Sequence, residues 1–198
     1  YPVQSFTTVY PGDVKYVDLT GENIIDANDR KAIGYSTTAP DIYYNFHLGA
    51  EYKGIGLDAM FQGVGRWTGF MTTNGLYRSA VATNTLSQYL YENSWSAERG
   101  NTECALFPRL STTSNANNDL NSTLNMFDRS YIKLRYVELY YHLPKSLLNK
   151  LSVINNIKLY VRGTDLFTAD HLDKADAASY GVAQPLTRSV QLGAALTF

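Results

Sequence analysis

The 198-residue sequence contains a single cysteine, Cys104, and almost no net charge. One cysteine excludes an internal disulfide framework and a cysteine-based metal cluster. The formal net charge of −1 provides no basic excess with which to bind nucleic acid or an anionic membrane surface. There is also no run of about 18 apolar residues, which excludes a transmembrane helix.

The sequence begins at Tyr1, with neither an initiator methionine nor a signal peptide. This predicts a mature product, a fragment, or one part of a split protein. A P-loop, a dinucleotide-binding fingerprint and a nucleophile elbow are missing as well. The three histidines, His47, His142 and His171, lie on different predicted elements. An enzyme is therefore the least supported class of protein.

The residues present in excess are those of strands and turns. The chain has 16 Tyr and 14 Gly, with many Asn and Thr. Tyr and Thr favour strands, whereas Gly and Asn favour turns. This composition predicts an all-β fold.

Five segments alternate between apolar and polar side chains, and we predict them as strands: 42–53, 55–63, 131–143, 157–167 and 189–198. The first two are joined by the tight turn KGIG and form a predicted hairpin. In the third, the apolar face switches between Tyr136 and Val137, which indicates a β-bulge or a misplaced strand limit. A sixth strand is possible in residues 1–9.

Long strands with one apolar face fit a soluble sandwich or barrel, or a transmembrane barrel. The membrane barrel is favoured because the strands exceed the usual five or six residues, and aromatic residues cluster at their ends. Short and long connections also alternate, as in outer-membrane barrels. With the last strand ending in the periplasm, the acidic loop 11–40, the long loop 64–130 and the loop 168–188 are all expected outside the cell.

Five or six strands cannot close a barrel, since small barrels need eight. Open strand edges do not survive in lipid. We therefore predict that residues 1–198 are the C-terminal segment of a larger transmembrane barrel, completed by other sequence.

The stretch DLTGENIIDAND, residues 18–29, has oxygen-bearing side chains at the spacing of a calcium loop. The predicted calcium ligands are the side chains of Asp18, Asp26 and Asp29 and the carbonyl of Ile24, with Thr20 and Glu22 as further candidates. The alternative is a loop whose Asp and Asn side chains cap their own turns.

Several segments resemble, in order, the C-terminal end of the SusC/RagA family of TonB-dependent outer-membrane transporters of Bacteroidota. They are PGDVKYVDLTGENIIDANDRKAIGYSTTAPDIYYNF, FQGVG, SYIKLRYVELYYHLPKSLLNKL, IKLYVRGTDLFT and PLTRSVQLGAALTF, with ENSW and FPRLST in the long loop. The sequence departs from the family pattern at Thr20, Glu22 and Asn23, and at Asp165, where the family usually has Asn.

The resemblance implies an antiparallel barrel of about 22 strands around an N-terminal plug, and contact with TonB through that missing part. It implies a SusD-like surface lipoprotein as partner and glycans or oligopeptides as substrates. Separately, an alternating last strand that ends in Phe198 resembles the signal by which the barrel-assembly machinery recognises outer-membrane proteins. The alternative is an ordinary strand end.

Six aromatic residues of the long loop are candidates for contact with substrate or with the lipoprotein lid: Trp67, Phe70, Tyr77, Tyr89, Tyr91 and Trp95. The alternative is that they form a small core of the loop itself. On the polar face of the strands, four basic residues are expected mainly to pair with carboxylates of the plug or of neighbouring strands: Lys133, Arg135, Lys158 and Arg162. The alternative is that they attract an anionic substrate.

Three functions stay open at this point. The first is TonB-driven nutrient import, and the second is a non-transporting barrel that acts as a scaffold in an outer-membrane complex. The third is a soluble all-β calcium-binding module.

Overall fold

The structure, a computed structural model, describes residues 1–73, 76–78, 85–148, 153–172 and 186–198. By its internal contacts the chain divides into two compact units. The loop unit comprises Tyr1–Gly34 and Gly69–Phe127, and the sheet unit comprises Tyr35–Thr68 and Asp128–Phe198. No helix among the described residues has the length and apolar character needed to cross a membrane.

The sheet unit is built on one antiparallel sheet of five strands, which lie side by side in their order along the chain. Their bounds are Ile42–Tyr52 (β3), Ile55–Gly65 (β4), Tyr131–His142 (β7), Asn156–Asp170 (β8) and Ser189–Thr197 (β9). The predicted all-β class and all five predicted strands are confirmed. The predicted hairpin is also confirmed, with Lys53 and Gly54 at its turn in positive-φ conformations.

A β-bulge interrupts the sheet where the sequence indicates a change of face. Leu134 and Tyr136 pair with Phe61 and Met60 of β4, which leaves Arg135 between them without a register partner. On the β8 side, Leu134 pairs with Phe167 and Tyr136 with Thr164. The predicted bulge is therefore real, but it lies one residue earlier than the sequence suggests.

The remaining strands are short. β1 (Val3–Gln4) and β2 (Ile24–Ile25) form a parallel pair, and β5 (Thr68–Phe70) pairs with β6 (Met126–Asp128). The possible sixth barrel strand in residues 1–9 is thus wrong, because Val3 and Gln4 pair with the acidic loop instead of the large sheet.

Two short helices complete the described elements, α1 (Gln88–Asn93) and α2 (Lys145–Leu148). Ser87 caps α1 by accepting a hydrogen bond from the Leu90 N–H at 3.1 Å, and Leu90 itself is buried. The last predicted external loop, 168–188, lies largely outside the described residues.

Candidate functional site

The loop unit is organised around the buried carboxylate of Asp13. Arg109 donates to it from Nε, 2.6 Å from Oδ1, and from a terminal nitrogen, 3.3 Å from Oδ2. The backbone N–H of Arg109 also donates to the Gly12 carbonyl at 2.8 Å. Because this two-point pairing fixes the angle of the guanidinium, it holds the segment around Arg109 against the first loop.

Three asparagines extend the same network. Asn118 and Asn115 donate to Asp13 Oδ1 at 2.8 and 3.1 Å. Asn117, which is fully buried, donates to the Val14 carbonyl at 2.8 Å. The NANN run at 115–118 therefore serves as a side-chain clamp on residues 13–14.

Two groups in this network have displaced pKa values. Burial raises the pKa of Asp13, but hydrogen bonds from the Tyr10 N–H, Arg109 and Asn118 outweigh it, so the net pKa lies below the ordinary Asp value. Burial, with the nearby Tyr1 and Asp119, raises the pKa of Tyr16 to about 12. Near neutral pH, Asp13 is therefore ionised and Tyr16 is neutral.

A groove of about 940 Å³ lies beside this network, entirely within the loop unit. Aromatic and apolar side chains form most of its wall: Val9, Tyr10, Pro11, Val14, Trp95, Leu106, Phe107, Pro108 and Leu124. Lys15 adds a cation at its edge. An apolar groove with a few polar groups is the usual form of a ligand site.

Trp95 is the predicted contact residue that lines the groove. A Cβ at Gly12, whose φ is +88°, would overlap the indole ring, so glycine is needed there for both space and conformation. The backbone N–H of Trp95 donates to the Phe107 carbonyl at 2.9 Å. The predicted aromatic contact thus has a fixed position in the groove wall.

Two other predicted aromatics form an internal cluster with Phe107. Its ring centroid lies 5.7 Å from that of Tyr89, edge to face, and 6.4 Å from that of Tyr77. Tyr77 is buried. These positions match the alternative of a small loop core more closely than direct contact with a substrate.

The last three predicted aromatics are dispersed. Tyr91 is exposed, and its ring centroid lies 4.1 Å from the guanidinium carbon of Arg99. Phe70 is half-buried on β5. Trp67 belongs to the sheet unit, where Arg129 stacks 3.7 Å from its ring centroid. Contact with substrate or lid at these six positions stays a prediction.

The acidic loop uses its carboxylates to cap its own turns. Asp18 accepts from the Gly21 and Asn23 N–H groups at 2.6 and 2.7 Å, and Asn23 has a φ of +61°. Asp29 accepts from the Leu19 N–H at 2.7 Å and from the Asp26 N–H at 2.9 Å. The Asp26 hydrogen bond, followed by those from Leu19 and Thr20, lowers the pKa of Asp29 against a smaller effect of burial.

The remaining predicted ligands are Thr20, Glu22 and Ile24, and they too have contacts within the chain. Thr20 Oγ1 donates to Asp18 and Glu22 at 3.2 and 3.3 Å, and Ile24 lies in β2. Among the described residues, no three or more His, Cys, Asp or Glu side chains converge as metal ligands. This arrangement does not fit a preformed calcium site, and calcium binding stays a prediction.

On the polar face of the large sheet, Glu138 is buried between two cations. Lys158 Nζ lies 2.6 Å from Oε1, and an Arg162 terminal nitrogen lies 2.5 Å from Oε2. Arg135 pairs at 2.8 Å with Asp165, which has a φ of +51°. Three of the four basic residues therefore pair with carboxylates of this sheet, as expected, while Lys133 is nearly fully buried.

Phe198 follows the last strand and is largely exposed. Its role as an assembly signal stays a prediction. Sequence reasoning missed the central pair of the loop unit, although PGD, which contains Asp13, and FPRLST, which contains Arg109, both carry the family resemblance. Nothing in either motif alone indicates that the two side chains meet.

No family model matches the sequence. The chain is 29% identical over 167 residues to TonB-dependent receptor P3 of Formosa agariphila, covering 84% of this chain and 15% of that receptor. Its relatives are receptors and transporters rather than enzymes.

In fold, the chain is similar to the RagAB peptide importer in its "open-open" state, with a TM-score of 0.67 and 24% identity over 92% of this chain and 20% of the other. The "closed-closed" state of that importer gives a TM-score of 0.65 and 25% identity over 88% of this chain. The chain therefore spans about a fifth or less of the length of these relatives. The predicted resemblance is confirmed: the chain is similar in sequence to a TonB-dependent receptor and in fold to a strand-built segment of RagA-type transporters.

Proposed function

We propose that the chain forms part of an outer-membrane β-barrel that binds nutrients and imports them with energy supplied through TonB. The nutrients are glycans or oligopeptides, and a SusD-like surface lipoprotein closes over the loops. The curated relative is named a TonB-dependent receptor, and the similar solved structures are named peptide importers.

The main support is that polar-face residues of the large sheet are buried while apolar-face residues are exposed. Lys133 and Glu138, both on its polar face, are 2% and 3% exposed. On its apolar face, by contrast, Leu139 is 53% and Leu192 81% exposed. A soluble sandwich buries its apolar face, whereas a transmembrane barrel turns that face to lipid. This contrast disfavours the soluble calcium-binding module.

The strand order supports a larger barrel. Within the described residues, β3 and β9 each have a single neighbour in the sheet. Since an open edge leaves backbone N–H and C=O groups without partners in lipid, further strands must cover both. The much greater length of the relatives agrees with this requirement.

The proposed role of the loop unit is to face the outside and to contact substrate or lid at its groove. A rigid aromatic wall suits both sugar rings and peptide side chains. The Asp13–Arg109 pair holds the two segments that form this wall. The proposal therefore includes both the outward orientation of the loop unit and the contact of its groove with substrate or lid.

The test measures uptake of a labelled oligopeptide and a labelled oligosaccharide by cells that carry the full-length protein. We expect uptake of one class, and its loss when an uncoupler removes the proton-motive force. Outer-membrane protein that binds a lipoprotein without uptake would support the scaffold instead. A full-length protein that purifies without detergent would refute the barrel.

A further inference from the structure

The apolar face of the sheet contains a groove of about 620 Å³ near the hairpin turn between β3 and β4. Its lining residues come from four adjacent strands: Ile55, Leu139, Tyr140, Tyr141, Leu159, Tyr160, Val161, Leu192 and Gly193. None of them carries a charge, so the groove suits a hydrocarbon chain rather than a polar ligand.

Three of the lining residues, Ile55, Tyr141 and Leu159, belong to one row of paired positions across the sheet. Tyr52 pairs with Ile55, Ile55 with Tyr141, Tyr141 with Leu159, and Leu159 with Ala194. The row therefore runs from a large aromatic residue to a single methyl group.

A cation lies in the hairpin turn, two residues before Ile55 of the groove. Lys53 is exposed in the hairpin turn, and its Nζ lies 5.2 Å from the ring centroid of Tyr52, at the head of the same row. Lys145 is also exposed, at the start of α2, three residues after the end of β7. The His142 N–H donates to the Gly54 carbonyl at 2.7 Å, which joins the end of β7 to the hairpin turn.

An apolar groove with an ammonium group in the adjoining turn is complementary to an anionic amphiphile. Lysine binds phosphate groups as a compact charge, and a basic residue near a membrane surface attracts anionic lipid. A tyrosine beside that lysine places an aromatic ring where interfacial residues anchor barrels. These features together specify both the tail and the headgroup of the ligand.

We propose that this groove is a binding site for an anionic phospholipid, with an acyl chain in the groove and the phosphate on Lys53. The inference rests on the proposed function, because it requires that the apolar face meets lipid. It goes further, since a lipid-facing surface in general needs no fixed groove and no preference for a headgroup.

The test uses full-length protein purified in mild detergent, with bound lipid counted by native mass spectrometry after exposure to phosphatidylglycerol or phosphatidylethanolamine. We expect wild type to retain phosphatidylglycerol preferentially. Lys53→Gln is expected to lower that retention about fivefold, the effect of one basic residue on anionic lipid. Val161→Trp, which places a larger side chain in the lining of the groove, is expected to lower retention of both lipids.

Two variants serve as controls. Lys53→Arg keeps the charge and should keep the lipid, and Lys31→Gln removes an exposed lysine of the loop unit and should change nothing. Equal phosphatidylglycerol retention by wild type and Lys53→Gln would overturn the lipid site. Heat-modifiable migration and outer-membrane partition of the same samples test the barrel, so a folded barrel with unselective lipid retention refutes the lipid site alone.

Discussion

Asp13 and Arg109 lie 96 residues apart in the sequence, yet Arg109 Nε contacts Asp13 Oδ1 at 2.6 Å. The Asp13 side chain is almost completely buried, whereas Arg109 keeps about a third of its side chain exposed. This pair joins two segments that the sequence presents as separate loops. It therefore makes the groove of the loop unit a defined structure.

Asp13→Asn is expected to loosen the loop unit. The change removes the charge from a buried acceptor of Arg109, Asn115 and Asn118, and a hydrogen bond to a charged group contributes about 2 kcal/mol. Hydrogen exchange of residues 105–118 in full-length protein should report a fall of that size in local opening free energy. Glu98→Gln, an acid-to-amide change at an exposed position, is the control. Equal exchange in both variants would show that the pair does not hold the loops.

The same network should depend on pH. The pKa of Asp13 is lowered in the folded state, while in the unfolded chain it titrates near 3.8. Its stabilisation is therefore fully present above pH 3.8 and is lost as the pH falls through the lower folded pKa. Exchange of residues 105–118, corrected for its intrinsic pH dependence, should rise in this acidic window. Asp13→Asn should abolish the rise, and a rise that persists in this variant would assign it to another group.

Gly12→Ala tests the fit of Trp95 against the backbone. Both Gly12 and Gly21 have positive φ, +88° and +82°, but a Cβ at Gly21 would meet nothing within 4 Å. Gly21→Ala should cost about 1 kcal/mol in backbone strain. Gly12→Ala should cost about 2 kcal/mol more, because it also displaces the indole ring. Local exchange around each glycine measures the difference, and equal costs would contradict the close approach.

Glu138→Gln should destabilise the barrel. Lys158 and Arg162 both pair with this carboxylate, and their side chains are 28% and 43% exposed while that of Glu138 is 4% exposed. Because solvent reaches both cations, the expected cost is that of a hydrogen bond to a charged group, about 2 kcal/mol. The temperature at which the full-length protein loses its heat-modifiable gel mobility should fall. Glu51→Gln is the matched control, because Glu51 is exposed and accepts its hydrogen bond from the neutral Tyr140 hydroxyl. An equal fall in both variants would contradict the ion-pair account.

The calcium hypothesis has its own test. If the acidic loop binds calcium, added calcium should slow exchange in residues 18–29, and the double variant Asp18→Ala/Asp26→Ala should abolish the effect. Because the Asp18 and Asp29 carboxylates cap backbone N–H groups, an ion would have to replace those hydrogen bonds. Exchange that calcium leaves unchanged in wild type would exclude the site.

The five sheet strands are predictable because their sequences alternate between apolar and polar side chains, although the apolar face of β7 changes at the bulge. The bulge is predictable only approximately. Its position depends on β8, where Asp165 and Leu166 have no register partners on β7, and the sequence of β7 alone does not show this. Arg135 and Asp165 then pair with each other within the irregularity.

The loop unit is not predictable in the same way. Its order comes from contacts between side chains about a hundred residues apart, such as those of Asp13 with Arg109 and Asn118. Periodicity carries no information about such pairs. The acidic loop shows a further limit, because the spacing of oxygen ligands for an ion resembles that of residues that cap successive turns.

The central claim is that one face of the large sheet meets lipid, and two adjacent residues of β9 test it most directly. Gln191 pairs with Arg162 on the polar face, Leu192 pairs with Val161 on the apolar face, and both are exposed. In full-length protein with Cys104 replaced by Ser, Gln191→Cys and Leu192→Cys are labelled with a fluorophore and reconstituted into brominated phospholipid. We predict strong quenching at position 192 and little at 191. Equal quenching at the two positions, or stronger quenching at 191, would contradict the account.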